Sequence, residues 1–181
     1  IEGIKYAIKM KVDIINYSGG GTEYSEDEKQ AIEAARKEGI LFVAAAGNER
    51  SNSDIHKYYP ADYGLSNIIS VTAIDQSTQV LPSSNYGVHS VDISAPGQNI
   101  MSLLPNSSYG HMTGTSQATA FVTGAAVLVM AKKGINNPEE VKKYILNTGD
   151  ADNKLVSKVR NYRRLNLFNA LTLEDEGISP T

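Results

Sequence analysis

Apolar residues recur along this chain in two rhythms, one helical and one continuous. Ile4, Ala7 and Ile8 share one helical face, which predicts a short helix over residues 2–10. Val12–Tyr17 is an apolar stretch running into Ser18-Gly19-Gly20-Gly21, and it reads as a strand that ends in a glycine turn. Ser25-Glu26-Asp27-Glu28 has the pattern of a capping box, with Ser25 as N-cap and Glu28 reaching back. The helix it opens runs to Lys37, and Gly39 stops it. Ile40–Ala46 is continuously apolar, too short for a helix and bounded by Gly, which predicts a strand buried on both faces. Ile68–Ile74 predicts a third strand and Val91–Ser94 a fourth.

Residues 47–67 are polar and irregular, a long surface loop of the kind that often carries function. Thr115–Lys133 predicts a long Ala-rich helix with no polar face until its end, and hence a central one. Asn137-Pro138-Glu139-Glu140 starts another helix, with Asn137 as N-cap, Pro138 in the first turn and acids facing the positive end of the dipole. Asn166–Leu171 predicts a last short helix, and residues 174–181 a frayed tail. Buried strands alternating with helices predict an α/β fold, a three-layer parallel sheet with helices on both faces. Sites in such sheets gather at the carboxyl ends of the strands, where Ser18–Gly21 and Gly47-Asn48 fall.

Composition narrows the function. The 181 residues are enough for one domain with a real core, and 20% charged residues are ordinary for a soluble protein. A net charge of -3 gives no basic surface for nucleic acid, and the short cluster Arg160, Arg163 and Arg164 reads as solvated surface. Without cysteine there are no disulfides and no thiol catalysis. No apolar run reaches membrane-spanning length, so no membrane partner is expected. The chain opens with Ile1 directly in a helical pattern, so upstream sequence is expected.

Gly114-Thr115-Ser116 stands where a loop enters the long apolar helix. The serine there can cap the helix. It can also be a nucleophile whose developing oxyanion is stabilised by the positive helix end. Asn48 after Gly47 can be a turn residue or a side-chain donor. From the local residues alone, both pairs of readings stand.

The order of motifs separates them. Gly114-Thr115-Ser116-Gln117-Ala118-Thr119-Ala120-Phe121-Val122-Thr123-Gly124-Ala125-Ala126 resembles the segment around the nucleophilic serine of subtilisin-like serine proteases, the subtilases. Ala44-Ala45-Ala46-Gly47-Asn48-Glu49 resembles the segment bearing their oxyanion-hole asparagine, and Ser18-Gly19-Gly20-Gly21 the segment that binds substrate backbone. Tyr59-Pro60-Ala61 and Ala95-Pro96-Gly97 resemble further landmarks, in the right order. Gly19 replaces a usual leucine, and Gln117, Ala120 and Phe121 replace Met, Pro and His of the common pattern. The resemblance implies that residues 1–173 are the C-terminal half of a subtilisin-like peptidase domain.

It implies that Ser116 attacks the scissile carbonyl, and that the Ser116 N–H and the Asn48 amide hold the oxyanion. Ser18, Gly19 and Gly20 would face Ala45, Ala46 and Gly47 across a substrate pocket, with Glu49 and Tyr58 at its rim or base. Those walls are apolar and small, so an apolar or aromatic residue before the scissile bond is expected to fit, with tolerance for long basic ones. A Tyr58 ring pointing inward would instead shorten the pocket and favour smaller side chains, and a solvated Glu49 would attract basic residues only weakly. The acid and histidine of the triad precede the serine in this family, so they are expected N-terminal to this chain. His56, His89, His111, Asp13 and Asp92 match no triad position. This chain alone is therefore expected to be inactive, with a polypeptide substrate and the N-terminal half of the same domain as partners. The alternative is a catalytically silent subtilase-like domain used for binding or assembly. A phosphate binder is disfavoured, because neither glycine segment carries the Lys and Ser/Thr of a phosphate loop. Residues Ala61–Asn67 with Asp92 loosely resemble a weaker calcium site of the family, but loop carbonyls with so few carboxylates suit a hard cation poorly; calcium is compatible with the complete domain, and no metal is assigned in this chain. The resemblance points to a secreted or cell-envelope location.

Overall fold

The middle of the sheet is set by two strands with no exposed face. Leu41–Ala45 (β2) and Ile68–Ile74 (β3) are buried at every position, as strands covered on both sides must be. The computed structural model describes residues 1–173, so the tail expected at 174–181 lies outside the described residues. Ile14–Tyr17 (β1) pairs parallel with β2, β2 with β3, and β3 with Ile93–Pro96 (β4). The six-stranded order is β1-β2-β3-β4-β8-β7, where Arg163–Arg164 (β8) runs parallel to β4 and Asp150–Ala151 (β7) is antiparallel to β8.

Helices cover both faces, as expected. Glu2–Lys9 (α1) and Glu26–Lys37 (α2) pack Ile4, Ile32 and Ala35 against Phe42, Ala44 and Ile68. Thr115–Lys133 (α3), Pro138–Thr148 (α4) and Leu167–Thr172 (α5) lie on the other face, where Ala118, Val122, Val129 and Ile145 meet Leu41, Val43, Ile69 and Val71.

Several expectations need correction. The fourth strand begins at Ile93 instead of Val91, because Asp92 ties itself to Ser70 from both ends: its N–H donates to the Ser70 carbonyl, and its carboxylate accepts the Ser70 N–H. Ser25 does cap α2 by accepting the Glu28 N–H, but Glu28 does not reach back. The Tyr63 hydroxyl takes that place, accepting from Ser25 N at 3.3 Å and donating to Glu28 Oε2 at 2.7 Å. The helix α3 is not fully enclosed: Phe121, Val127 and Leu128 are exposed along one side. A hairpin of Ile100–Leu104 (β5) and Ser108–Met112 (β6) has no counterpart among the expected elements.

Candidate active site

The segment after β1, the segment after β2 and the N-terminus of α3 converge at one end of the sheet. Ser116 is the second residue of α3 and is partly exposed. Its Oγ donates to the Ser18 carbonyl at 3.0 Å, and the Ser18 hydroxyl donates to the Ser116 carbonyl at 3.0 Å. Thr123 on α3 donates to Asn16 Oδ1 at 2.8 Å, and Asn16 Nδ2 donates to Ser18 Oγ at 3.0 Å. The end of β1 and the first turns of α3 are thus stitched together by side chains. A carbonyl is no base, so the Ser116 hydroxyl rests unactivated.

Asn48 is oriented by the same helix end. Its Oδ1 accepts from Thr115 N at 3.0 Å and from Thr115 Oγ1 at 3.2 Å. Two donors on one atom fix which end of the amide is oxygen, so the Nδ2 donor pair is turned away from Thr115. The Ser116 N–H, in the first turn of α3, has no acceptor among the described residues. The Ser116 N–H and the Asn48 Nδ2 are thus left without acceptors among the described residues at this helix end, donors of a kind suited to developing negative charge.

The turn carrying Asn48 is held by a residue that no sequence motif singles out. Asn85 is 1% exposed. Its Oδ1 accepts from Glu49 N at 2.9 Å and Ser51 N at 3.0 Å, and its Nδ2 donates to Ala46 O at 2.9 Å and Glu49 Oε2 at 2.8 Å. The Glu49 carboxylate is therefore drawn toward Asn85 and over Gly47. A Cβ at Gly47, which sits at φ +104, would collide with both side chains.

Two glycine-bearing walls flank Tyr58. A Cβ on Gly20 would lie 2.5 Å from Tyr58 Cε1, and one on Gly47 would lie 2.9 Å from Tyr58 Cε2. The ring, 8% exposed, is wedged between the Ser18–Gly20 and Ala45–Gly47 segments. Burial pushes its hydroxyl above the usual tyrosine range, and the Glu49 carboxylate adds to that. Gly19 is open on its outer side: a Cβ there would meet only Tyr17 Cε1, at 3.6 Å. Behind Tyr58, burial raises the Asp62 carboxyl to about 6, against a hydrogen bond from Tyr58 N and the Lys57 charge.

The other candidate groups lie apart. His111 is on β6 opposite Met101 and exposed, and makes no hydrogen bond to Ser116. His56 and His89 are exposed, and Asp13 is exposed just before β1. Asp92 is buried in an ion cluster, 2.9 Å from Lys142 Nζ and 3.4 Å from an Arg160 nitrogen. Lys142 Nζ also donates to the Ile68 carbonyl at 2.5 Å. A calcium ion there would have to displace two cationic side chains, so the residues do not fit that group. Among the described residues, no three ligating side chains converge elsewhere. The arginines expected as solvated surface are tied down: Arg160 to Asp92, Arg163 to the Gly149 carbonyl, and Arg164 to Asp150 at 2.7 Å. An open groove of ≈ 480 Å³ runs from Ser116 along the exposed side of α3, past Ala120, Phe121 and Leu128 to Ile100 of β5.

Comparison with known proteins shows the family and the fold. The Subtilase family pattern matches residues 1–165. The major intracellular serine protease of Bacillus subtilis (strain 168) is 41% identical over 131 residues, which are 71% of this chain and 40% of that protein. Subtilisin NAT of Bacillus subtilis subsp. natto is 41% identical over 133 residues, 73% of this chain and 34% of the relative. The chain therefore aligns with well under half the length of these curated relatives. Among solved structures, a mutant of the protease domain of PatA superposes with a TM-score of 0.83 at 29% identity, covering 98% of this chain and 65% of that one. The subtilase cytotoxin SubAB assembly contains a chain with a TM-score of 0.82 at 28% identity, covering 94% and 63% respectively.

Proposed function

The chain belongs to the subtilase family, and on that premise we propose that it carries the nucleophile and oxyanion hole of a serine endopeptidase. Ser116 Oγ attacks the scissile carbonyl to form an acyl-enzyme, and its proton passes to a histidine supplied from outside this chain. The carbonyl oxygen gains charge in that step, and the Ser116 N–H and Asn48 Nδ2 receive it. The observation that carries this reading is the double grip of Thr115 on Asn48 Oδ1, which leaves the opposite amide end free at the helix end that bears Ser116. A histidine and its orienting acid would reach Ser116 across the apolar groove beside α3, so the N-terminal part of the domain is the partner for that surface. A polypeptide substrate would lie along Ser18–Gly20, adding to the edge like a further strand.

The pocket for the residue before the scissile bond is small. Gly20 and Gly47 leave room between them, and the Tyr58 ring takes that room. Small apolar side chains fit such a pocket and aromatic ones do not. Glu49 leans on Asn85, which leaves its carboxylate a weak attractor for basic residues.

The test compares residues 1–181 with a longer protein that includes the upstream sequence, using a fluorophosphonate serine probe and peptide esters. Labelling at Ser116 and turnover of about 1–10³ per second are expected only for the longer protein, and Ser116→Ala abolishes both. Absence of labelling in the longer protein would make this a silent binding domain. Full turnover by residues 1–181 alone would place the base within this chain.

A further inference from the structure

We infer that Asp62 is a positioning residue for the specificity pocket: it holds the Tyr58 main chain so that the ring stays wedged between Gly20 and Gly47. The inference rests on the protease reading above and adds a residue to it. Both polar main-chain groups of Tyr58 end on Asp62. The Tyr58 N–H donates to Asp62 Oδ2 at 2.7 Å, and the Tyr58 carbonyl accepts from Asp62 N at 3.0 Å. The next residue is fastened on the opposite side, where Tyr59 N donates to Gly21 O at 2.7 Å and Gly21 N donates to Tyr59 O at 2.9 Å. The segment that bears the ring is thus clamped between the substrate-edge glycines and one carboxylate.

That carboxylate is an unfavourable choice for a purely structural role. It faces a cavity of ≈ 290 Å³ whose lining brings Lys57, His89, Asp92, Lys142 and Arg160 near it. Asp54 adds like-charge repulsion, Lys57 attraction. Lys142 and Arg160 are committed to Asp92, and Lys57 Nζ donates to Ser90 Oγ, so among the described residues no ion pair neutralises Asp62 directly. Burial keeps its carboxyl up at about 6, so ionisation at neutral pH is held against a desolvation cost. An asparagine would accept the same N–H without that cost. What the ionised group adds is a stronger grip on Tyr58, because a charged acceptor binds an N–H more tightly than a neutral one.

The consequence is a pocket whose selectivity follows the charge on Asp62. Below about pH 6 the carboxyl is protonated, the grip weakens and the ring is freer to leave. The readout is the ratio of kcat/KM for two peptides differing only in alanine or phenylalanine before the scissile bond, measured on the complete protease from pH 4.5 to 8.5. Protonation of the catalytic base scales both rates alike and cancels in the ratio. In the wild type the preference for alanine is expected to fall about two- to fivefold as pH drops through 6, the loss of a charge-assisted hydrogen bond. Asp62→Asn, a neutral acceptor, gives a flat profile at the low-pH level of the wild type, and Asp62→Ala, with no acceptor, a flat profile reduced further. In parallel, the Tyr58 amide proton in the NMR spectrum shifts with an apparent pKa near that of Asp62, and stops titrating in Asp62→Asn.

The outcomes separate. If Tyr58→Gly leaves the ratio unchanged, the pocket reading fails and this inference with it. If Tyr58→Gly removes the alanine preference but Asp62→Ala does not, the pocket stands and the role of Asp62 is overturned. A step near pH 6 that survives in Asp62→Asn, or a Tyr58 amide indifferent to pH, also overturns it.

Discussion

Replacing Asn85 with alanine removes the support under the Asn48 turn. The side chain is 1% exposed and satisfies the Glu49 N–H, the Ser51 N–H and the Ala46 carbonyl. A net hydrogen bond is worth about 1 kcal/mol, and a polar group left dry costs about 1–3 kcal/mol. Water can reach the exposed Glu49 side of the turn but not Ala46, which is 1% exposed. The sum comes to about 3–4 kcal/mol for Asn85→Ala, with one dry carbonyl and two partly rehydrated N–H groups. At about 2–4 °C per kcal/mol for a domain of this size, the melting temperature falls by roughly 10 °C. Urea unfolding followed by circular dichroism, in a Ser116→Ala background to prevent self-digestion, measures the first figure directly. Asn85→Asp keeps the acceptor for Glu49 N and Ser51 N but sets a carboxylate against Glu49 Oε2. Its cost is therefore larger at pH 8 than at pH 4. On the protease reading, Asn85→Ala in the complete protein with Ser116 restored lowers kcat more than it raises KM, because a displaced Asn48 would lose contact with the transition state and not with bound substrate. A cost below about 1 kcal/mol, or an aspartate variant indifferent to pH, would refute the role given to Asn85.

Three further outcomes follow from the geometry. Lys142→Met strands Asp92 with Arg160 alone and costs about 3 kcal/mol in urea unfolding, while adding Asp92→Asn recovers most of it; a single-variant cost under about 1 kcal/mol would show that the pair is not coupled. The Asp62 carboxyl sits at about 6 in the fold against 3.8 ordinarily, so folding favours its protonated form: the stability it contributes is full below about pH 4 and lost as pH rises through 6. Asp62→Asn therefore matches the wild type in chemical denaturation at pH 4 and exceeds it at pH 8, and equal curves at pH 8 would contradict the raised value. Gly19→Leu is tolerated within about 0.5 kcal/mol because its outer side is open, and on the protease reading it adds an apolar wall that raises kcat/KM for bulky residues further along the substrate.

Elements whose partners are near in sequence, or whose faces are uniformly buried, are readable from the chain. β2 announces itself as an unbroken apolar run and β3 as an apolar, β-branched one interrupted only by Ser70 and Thr72, and Ser25 and Asn137 cap as their positions dictate. The β5–β6 hairpin is hidden because Met101, Leu103, Tyr109 and His111 are all exposed, so no alternation marks a buried face. Its turn does leave a trace: Asn106 and Ser107 both take positive φ, and Pro105-Asn106-Ser107 is turn-forming in composition. Ser116, Asn48 and Ser18 are legible through the order of their motifs. Asn85 is not, since the backbone groups it serves lie 34 to 39 residues upstream and nothing local marks a buried hub. The apolar face of α3 misleads for a related reason: a helix apolar all round predicts burial, and the surface that would bury Phe121 and Leu128 is not supplied by the described residues.

Ser18 and Ser116 each donate a hydroxyl hydrogen to the other's carbonyl. On the protease reading, that reciprocity joins two events usually described separately. A peptide settling along Ser18–Gly20 offers its own N–H to the Ser18 carbonyl and competes with the Ser116 hydroxyl for it. Once evicted, the hydroxyl must find another acceptor, and the lone pair of a nearby imidazole nitrogen is the natural replacement. Occupancy of the cleft would then arm the nucleophile, and an unoccupied cleft would keep it idle. Water entering without a peptide meets a serine whose proton is already placed, which limits idle attack on anything that has not first claimed the edge.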